Sequence, residues 1–259
     1  MTAGIHGMMA AGGGASWTPA QATTDGGVSP EHWYRADDAY QESARSNVCD
    51  ETNDVVGSIT DKTTNADHIS QGTADNKPLW IANVINGHPV IRFDGSNDTI
   101  QGAFTTGGSL SQPNTIIILA KMAADEVNDN LHHFYCDGDD GSNRNIVMKN
   151  SGPIPDKVSY NAGTNLYGDP PTGDFIIFLA VFNGNSGLGY KNGILDASGA
   201  IGSDAIDGVT LASKYDGNYV ASIDFVEYLI YNSVLSVADM NQIGNYVATR
   251  YWLSWTTIE

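Results

Sequence analysis

The chain of 259 residues carries twelve Lys plus Arg against thirty Asp plus Glu, a formal net charge of −18. That charge repels phosphate backbones and anionic lipid, so neither nucleic acid nor a membrane surface is an expected partner. Hydrophobic residues make up 41% and aromatics 9%, enough to build a sizeable core and to exclude global disorder despite the glycine content.

Residues 1–29 are rich in Gly, Ala, Ser and Thr, with Gly12-Gly13-Gly14 and Gly26-Gly27 as joints. They read as a flexible, extended arm ahead of one domain spanning 30–259. Trp17 is the arm's one large anchor, suited either to a partner or to docking back on its own domain. Met1 to Ser16 contains no Lys or Arg and only the short apolar stretch Met8-Met9-Ala10-Ala11, so no secretory signal is expected. No apolar run approaches membrane-spanning length. Cys49 and Cys136 are too far apart in sequence for a zinc knuckle or redox pair and are expected as two free buried thiols.

Beyond Pro30, short apolar runs alternate with Gly, Asn, Asp and Pro, the pattern of many strands joined by tight turns. Candidate strands are 90–93, 115–121, 132–136, 145–149, 158–161, 175–182, 188–191 and 221–231. The runs Ile116-Ile117-Ile118-Leu119 and Phe175 to Phe182 are apolar without alternation, so both faces of those strands should be covered. Asn192-Gly193 lies between two short strand candidates and predicts a hairpin, since both residues tolerate positive φ. Ser236-Val237-Ala238-Asp239 resembles a capping box and starts a helix. Met240, Ile243, Val247 and Tyr251 then form one apolar stripe facing the sheet, and the helix should stop near Leu253.

Several motifs in this order carry a resemblance. They are Trp33-Tyr34-Arg35-Ala36-Asp37, the stretch Gly87-His88-Pro89-Val90-Ile91-Arg92-Phe93-Asp94-Gly95-Ser96-Asn97-Asp98, Arg144-Asn145 after a Gly- and Asp-rich turn, Val181-Phe182-Asn183-Gly184, Tyr190-Lys191-Asn192-Gly193, and Phe225 to Asn232 leading into Leu235-Ser236. Over residues 30–253 the chain is similar to laminin-G-like, concanavalin-type jelly rolls, frequent in phage virion proteins and in bacterial secreted and surface proteins. The resemblance implies an all-β jelly-roll sandwich with a short C-terminal helix. It implies a non-enzymatic virion protein, a tail or capsid-surface fibre or decoration. The arm would join other virion proteins through Trp17, the sandwich would meet host surface polysaccharide, and the assembly would be a homo-oligomer such as a trimer. A bacterial surface or secreted adhesion module, or a degenerate jelly-roll glycoside hydrolase, are the alternatives, because one fold carries many functions.

The hydrolase alternative comes from Ser222-Ile223-Asp224-Phe225-Val226-Glu227, which resembles the Glu-Ile-Asp-x-x-Glu strand of jelly-roll β-glucanases. Ser222 stands where the nucleophilic carboxylate would be, whereas retaining glycosidases need two carboxylates about 5 Å apart. Asp224 and Glu227 should diverge to opposite faces unless a β-bulge intervenes. Asp137, Asp139 and Asp140 cluster oxygen ligands of the kind Ca2+ prefers, and Asp94, Asn97 and Asp98 form a second such loop. A hairpin turn that tolerates Gly, Asp and Asn is the commoner use of such sequences. His132 and His133, as strand neighbours, should point to opposite faces. Tyr160, Tyr167, Tyr215 and Tyr219 lie in or beside Gly-, Asn- and Asp-rich segments. They are candidate platforms for sugar stacking, or rings that close the ends of the sandwich.

Overall fold

The two unalternating apolar runs become neighbours at the centre of one sheet, where each needs cover on both sides. The computed structural model describes residues 18–19, 28–106, 108–127, 129, 131–151 and 156–259. The first sheet runs in the order β16 (Ile194–Gly199), β15 (Gly187–Lys191), β14 (Ile176–Phe182), β9 (Asn114–Met122), β18 (Ile223–Tyr231), β7 (His88–Arg92), β6 (Leu79–Ile85) and β3 (Asp54–Val55). A further strand, β1 (His32–Arg35), also pairs with β18. The second sheet runs β13 (Asn165–Tyr167), β12 (Lys157–Asn161), β11 (Ile146–Asn150), β10 (His133–Asp137), β17 (Gly208–Leu211), β8 (Ile100–Ala103), β5 (Ile69–Ser70), β4 (Ser58–Ile59) and β2 (Ala39–Tyr40). The pairings within both sheets are antiparallel, and the fold is the expected all-β sandwich.

Alternation on β9 sends Ile116 and Ile118 into the inter-sheet core with Tyr135, Val147, Tyr160, Phe178 and Phe225. Ile117 and Leu119 point the other way, with Ile177, Leu179 and Leu229. That second face is covered by helix α1 (Val237–Tyr251), whose Met240, Ile243, Val247 and Tyr251 are all buried against it. Burial of each such large apolar side chain contributes about 1.5–3 kcal/mol, so the helix is part of the core.

The expected caps and turns are in place. The Ser236 hydroxyl accepts from the Asp239 N–H at 3.1 Å, and the helix ends at Trp252, which takes φ 56 and ψ 41. The tail then folds back along the helix. Asn241 accepts from Trp255 Nε1 at 3.1 Å and from the Ile258 N–H at 2.8 Å. Trp255 lies on Gly244, where a Cβ would come within 2.1 Å of its ring. At the hairpin, Lys191 pairs with Ile194 across Asn192 (φ 51) and Gly193 (φ 82).

Cys49 and Cys136 are both buried and free. Of the expected arm, Thr18 is half-buried and Pro19 buried, and Pro19 lines a cavity with Trp33 and Pro30. That short stretch therefore lies against the sandwich. Trp17 falls outside the described residues. Among the described residues no helix is long and apolar enough to cross a membrane.

Candidate functional site

Among the described residues, α1 and the tail cover the outer face of the first sheet and leave the outer face of the second open. Its strands β10 and β11 turn Tyr135 and Val147 inward and Phe134, Ile146 and Met148 outward, where these three form a separate apolar cluster. They floor a groove of about 240 Å³ whose walls include His132, Tyr219, Arg144, Lys214, Asn161 and Asn165.

Tyr219 overhangs this floor. Its ring is 52% exposed and meets His132 edge-on, centroids 5.3 Å apart at 87°. Its backbone sits at φ 51, in a region that bulky residues avoid. His132 Nδ1 accepts from the Ser151 N–H at 3.3 Å. Burial, with His133 and Lys149 beside it, pushes the His132 pKa down. The ring is therefore neutral at pH 7 and carries its proton on Nε2.

Two cations stand over one ring, with the Arg144 guanidinium 4.8 Å and the Lys214 ammonium 4.7 Å from the Tyr215 centroid. Arg144 is fixed by a bidentate pair to buried Asp137, Nε to Oδ1 at 2.9 Å and Nη2 to Oδ2 at 2.6 Å. The Tyr215 N–H donates to the same carboxylate at 3.0 Å. Lys214 pairs with Asp216. On the opposite wall, Asn165 Oδ1 accepts from Asn161 Nδ2 at 2.7 Å and Ser159 Oγ at 2.9 Å.

The four candidate tyrosines separate. Tyr219 lines the groove, and Tyr215 lies half-buried beneath the two cations beside it. Tyr167 is half-buried on β13, its hydroxyl accepting from Asn150 Nδ2 at 3.1 Å. Tyr160 is a correction, being fully buried between the sheets with its hydroxyl on Asp196 at 3.0 Å. Its ring fills the space left by Gly189 of the facing sheet, where a Cβ would approach it to 2.3 Å, so it cannot stack on a sugar.

The three aspartates proposed as Ca2+ ligands do not converge, a second correction. Asp137 is consumed by Arg144, Tyr215 and the Gly138 N–H. Asp140 Oδ1 accepts from the N–H groups of Ser142 and Asn143, as in a local turn. Asp139 lies beside Asp207. Burial and then that second carboxyl push it up to about 6. In the other acidic loop Asp98 accepts from the Asp94 N–H at 3.0 Å, and burial with the Asp94 charge pushes it up to about 6. Among the described residues no group of three or more His, Cys, Asp or Glu could hold a metal ion.

Asp224 and Glu227 do not diverge, contrary to the expectation from a regular strand. The β18–β9 register shifts between Phe225 and Glu227, where the opposite flank of β18 passes from β7 to β1. The bulge turns Val226 and Glu227 together toward α1, onto the face that also bears Asp224. Each carboxylate is already engaged. Asp224 holds Arg92 through bonds of 2.7 and 2.9 Å. Glu227 is buried and accepts from Trp33 Nε1 at 2.6 Å and the Tyr246 hydroxyl at 3.1 Å. Burial raises its pKa, opposed by the nearby Arg35 charge. Ser222 offers its N–H to Glu126 at 2.7 Å.

His132 and His133 part as expected, His132 into the groove and His133 into a buried contact with Asp129 at 2.7 Å. Sequence reasoning missed Arg144, Lys214, His132, Asn161 and Asn165 as walls. The available signal was Phe134 with Ile146 and Met148, apolar side chains on two candidate strands that face opposite to the inward Tyr135 and Val147.

No family model and no curated protein sequence matches the chain. Solved structures do. The botulinum neurotoxin serotype D ligand-binding domain in complex with N-acetylneuraminic acid is 14% identical with a TM-score of 0.57, covering 82% of this chain and 52% of that one. A structure of the botulinum neurotoxin D receptor-binding domain gives 14% identity and a TM-score of 0.58, over 73% of this chain and 50% of the other. A GH54 α-L-arabinofuranosidase soaked with a cyclic sulfate inhibitor is 11% identical with a TM-score of 0.63, covering 91% of this chain and 66% of that one. The chain spans about half the length of the toxin domains. The likeness is one of fold, a sandwich of antiparallel sheets.

Proposed function

We propose that the protein is a non-catalytic β-sandwich that binds glycan in the groove beneath Tyr219. The observation that carries this reading is Tyr219 itself, a half-exposed ring held over an apolar floor by a backbone at φ 51. Such strain costs about 1–3 kcal/mol and gathers at binding and switch sites, where the geometry is worth keeping. An aromatic face over an apolar floor takes the C–H face of a sugar, and amide and cationic tips orient its oxygens. The toxin domain complexed with N-acetylneuraminic acid lends the reading support from a similar fold.

The absence of catalysis is supported by Ser222 at the nucleophile position, by the Arg92 pair on Asp224 and by the burial of Glu227 beneath α1. Placement on a phage particle, with the arm engaging other virion proteins and several copies assembling, completes the proposal and rests on the sequence. Mass spectrometry of purified particles tests that part.

For the groove, Tyr219→Ala should weaken binding to a glycan panel at least about tenfold with an unchanged melting temperature. Unchanged binding would refute the site. Reducing-sugar release from β-glucans should be nil, and release that disappears in Glu227→Gln would overturn the non-catalytic reading.

A further inference from the structure

We infer that the groove selects sugars bearing a carboxylate, an inference that rests on the glycan-binding reading. The amide and imidazole acceptors of the wall already take bonds from within the protein, and the Tyr219 hydroxyl is the wall group that can both give and accept. Asn165 Oδ1 takes Asn161 Nδ2 and Ser159 Oγ, Asn161 Oδ1 takes the Gly163 N–H at 3.0 Å, and His132 Nδ1 takes the Ser151 N–H. What remains for a ligand is mostly donors: His132 Nε2–H, Asn165 Nδ2, Arg144 Nη1 beyond the two nitrogens spent on Asp137, and the Lys214 ammonium beyond its bond to Asp216.

A sugar hydroxyl is both donor and acceptor. Among the described residues the groove is rich in donors, so most placements leave the hydroxyl hydrogen without a partner on the wall, and an unmatched polar group that loses water is costly. A carboxylate accepts on both oxygens and gives nothing back, so it satisfies every wall donor it reaches, with bonds strengthened by charge. The placement of cations points the same way. The chain has twelve Lys and Arg in all, and two of them stand over the single Tyr215 ring at this groove. Asp137, behind Arg144 and fully buried, anchors the guanidinium and leaves its outer edge for a ligand.

The test uses the full chain and matched pairs of methyl glycosides, glucoside against glucuronide and galactoside against galacturonide, followed by amide chemical-shift titration. The uronides should bind about tenfold more tightly and shift amides around 132–134, 144–148 and 214–219. Lys214→Gln should reduce the preference to under about twofold, and Lys214→Arg should restore it. Equal affinity for both members of each pair, or a preference that survives Lys214→Gln, would overturn the carboxylate inference while leaving the groove as a glycan site. If no glycoside shifts groove amides and Tyr219→Ala changes nothing, the glycan reading falls and this inference with it.

Discussion

Tyr219 and Trp252 share a left-handed backbone, at φ 51 and φ 56, but differ in what the conformation achieves. The Tyr219 ring joins a groove, whereas Trp252 is 82% exposed at the end of a helix, where glycine is the usual residue. Trp252→Gly should therefore stabilise the fold by about 1 kcal/mol, read as a raised urea midpoint with an unchanged slope. Two carboxyls give a second test. Asp98 and Asp139 both sit near 6, above the roughly 3.9 of an unfolded aspartate. The folded state thus holds protons that the unfolded state has released. Their stabilisation is complete below the unfolded value and is lost as pH rises through about 6. Melting temperature should rise from pH 7.5 to pH 5, and Asp139→Asn should flatten that rise. A flat profile in the parent protein would show that neither group is shifted.

Among the elements, α1 offers the sharpest contrast. Ile243 is buried against the first sheet and Asn245 is exposed two residues on. Ile243→Asp should cost more than about 3 kcal/mol by burying an unpaired charge, and Asn245→Asp under about 0.5 kcal/mol. Equal urea midpoints would mean that the helix docks by another face. This helix was legible in sequence because its cap and stripe are local, as were β9 and β14, whose apolar runs record cover on both sides. Strands β8 and β17 were not. They hold short Gly-containing segments in the sheet by pairing with each other, Val209 opposite Gly102 and Thr210 opposite Gln101, so their signal lies in the partner. The bulge at Phe225 to Glu227 follows from β18 changing neighbours, which local spacing cannot encode. The site divides likewise. Tyr219 was visible as an aromatic in a Gly- and Asn-rich stretch, but the burial of Tyr160 is set by Gly189 on the other sheet.

For the whole molecule, the described sandwich from strand β1 onward contains both the inter-sheet core and the helix-side core. Deletion of residues 1–29 should leave one cooperative thermal transition, lowered by a few degrees through loss of the Pro19 contact. Loss of cooperativity would make the arm part of the core. The helix and folded-back tail have a consequence at this scale. They seal one broad face, while the groove opens on the other, so the molecule has a front and a back. Any support that holds it by the back presents the groove outward, and one that holds it by the front blocks it. Strength against a long polymer then depends on valency. Two chains gripping one strand can gain about 10²–10⁴ in avidity when their grooves match its repeat, and nothing when they do not.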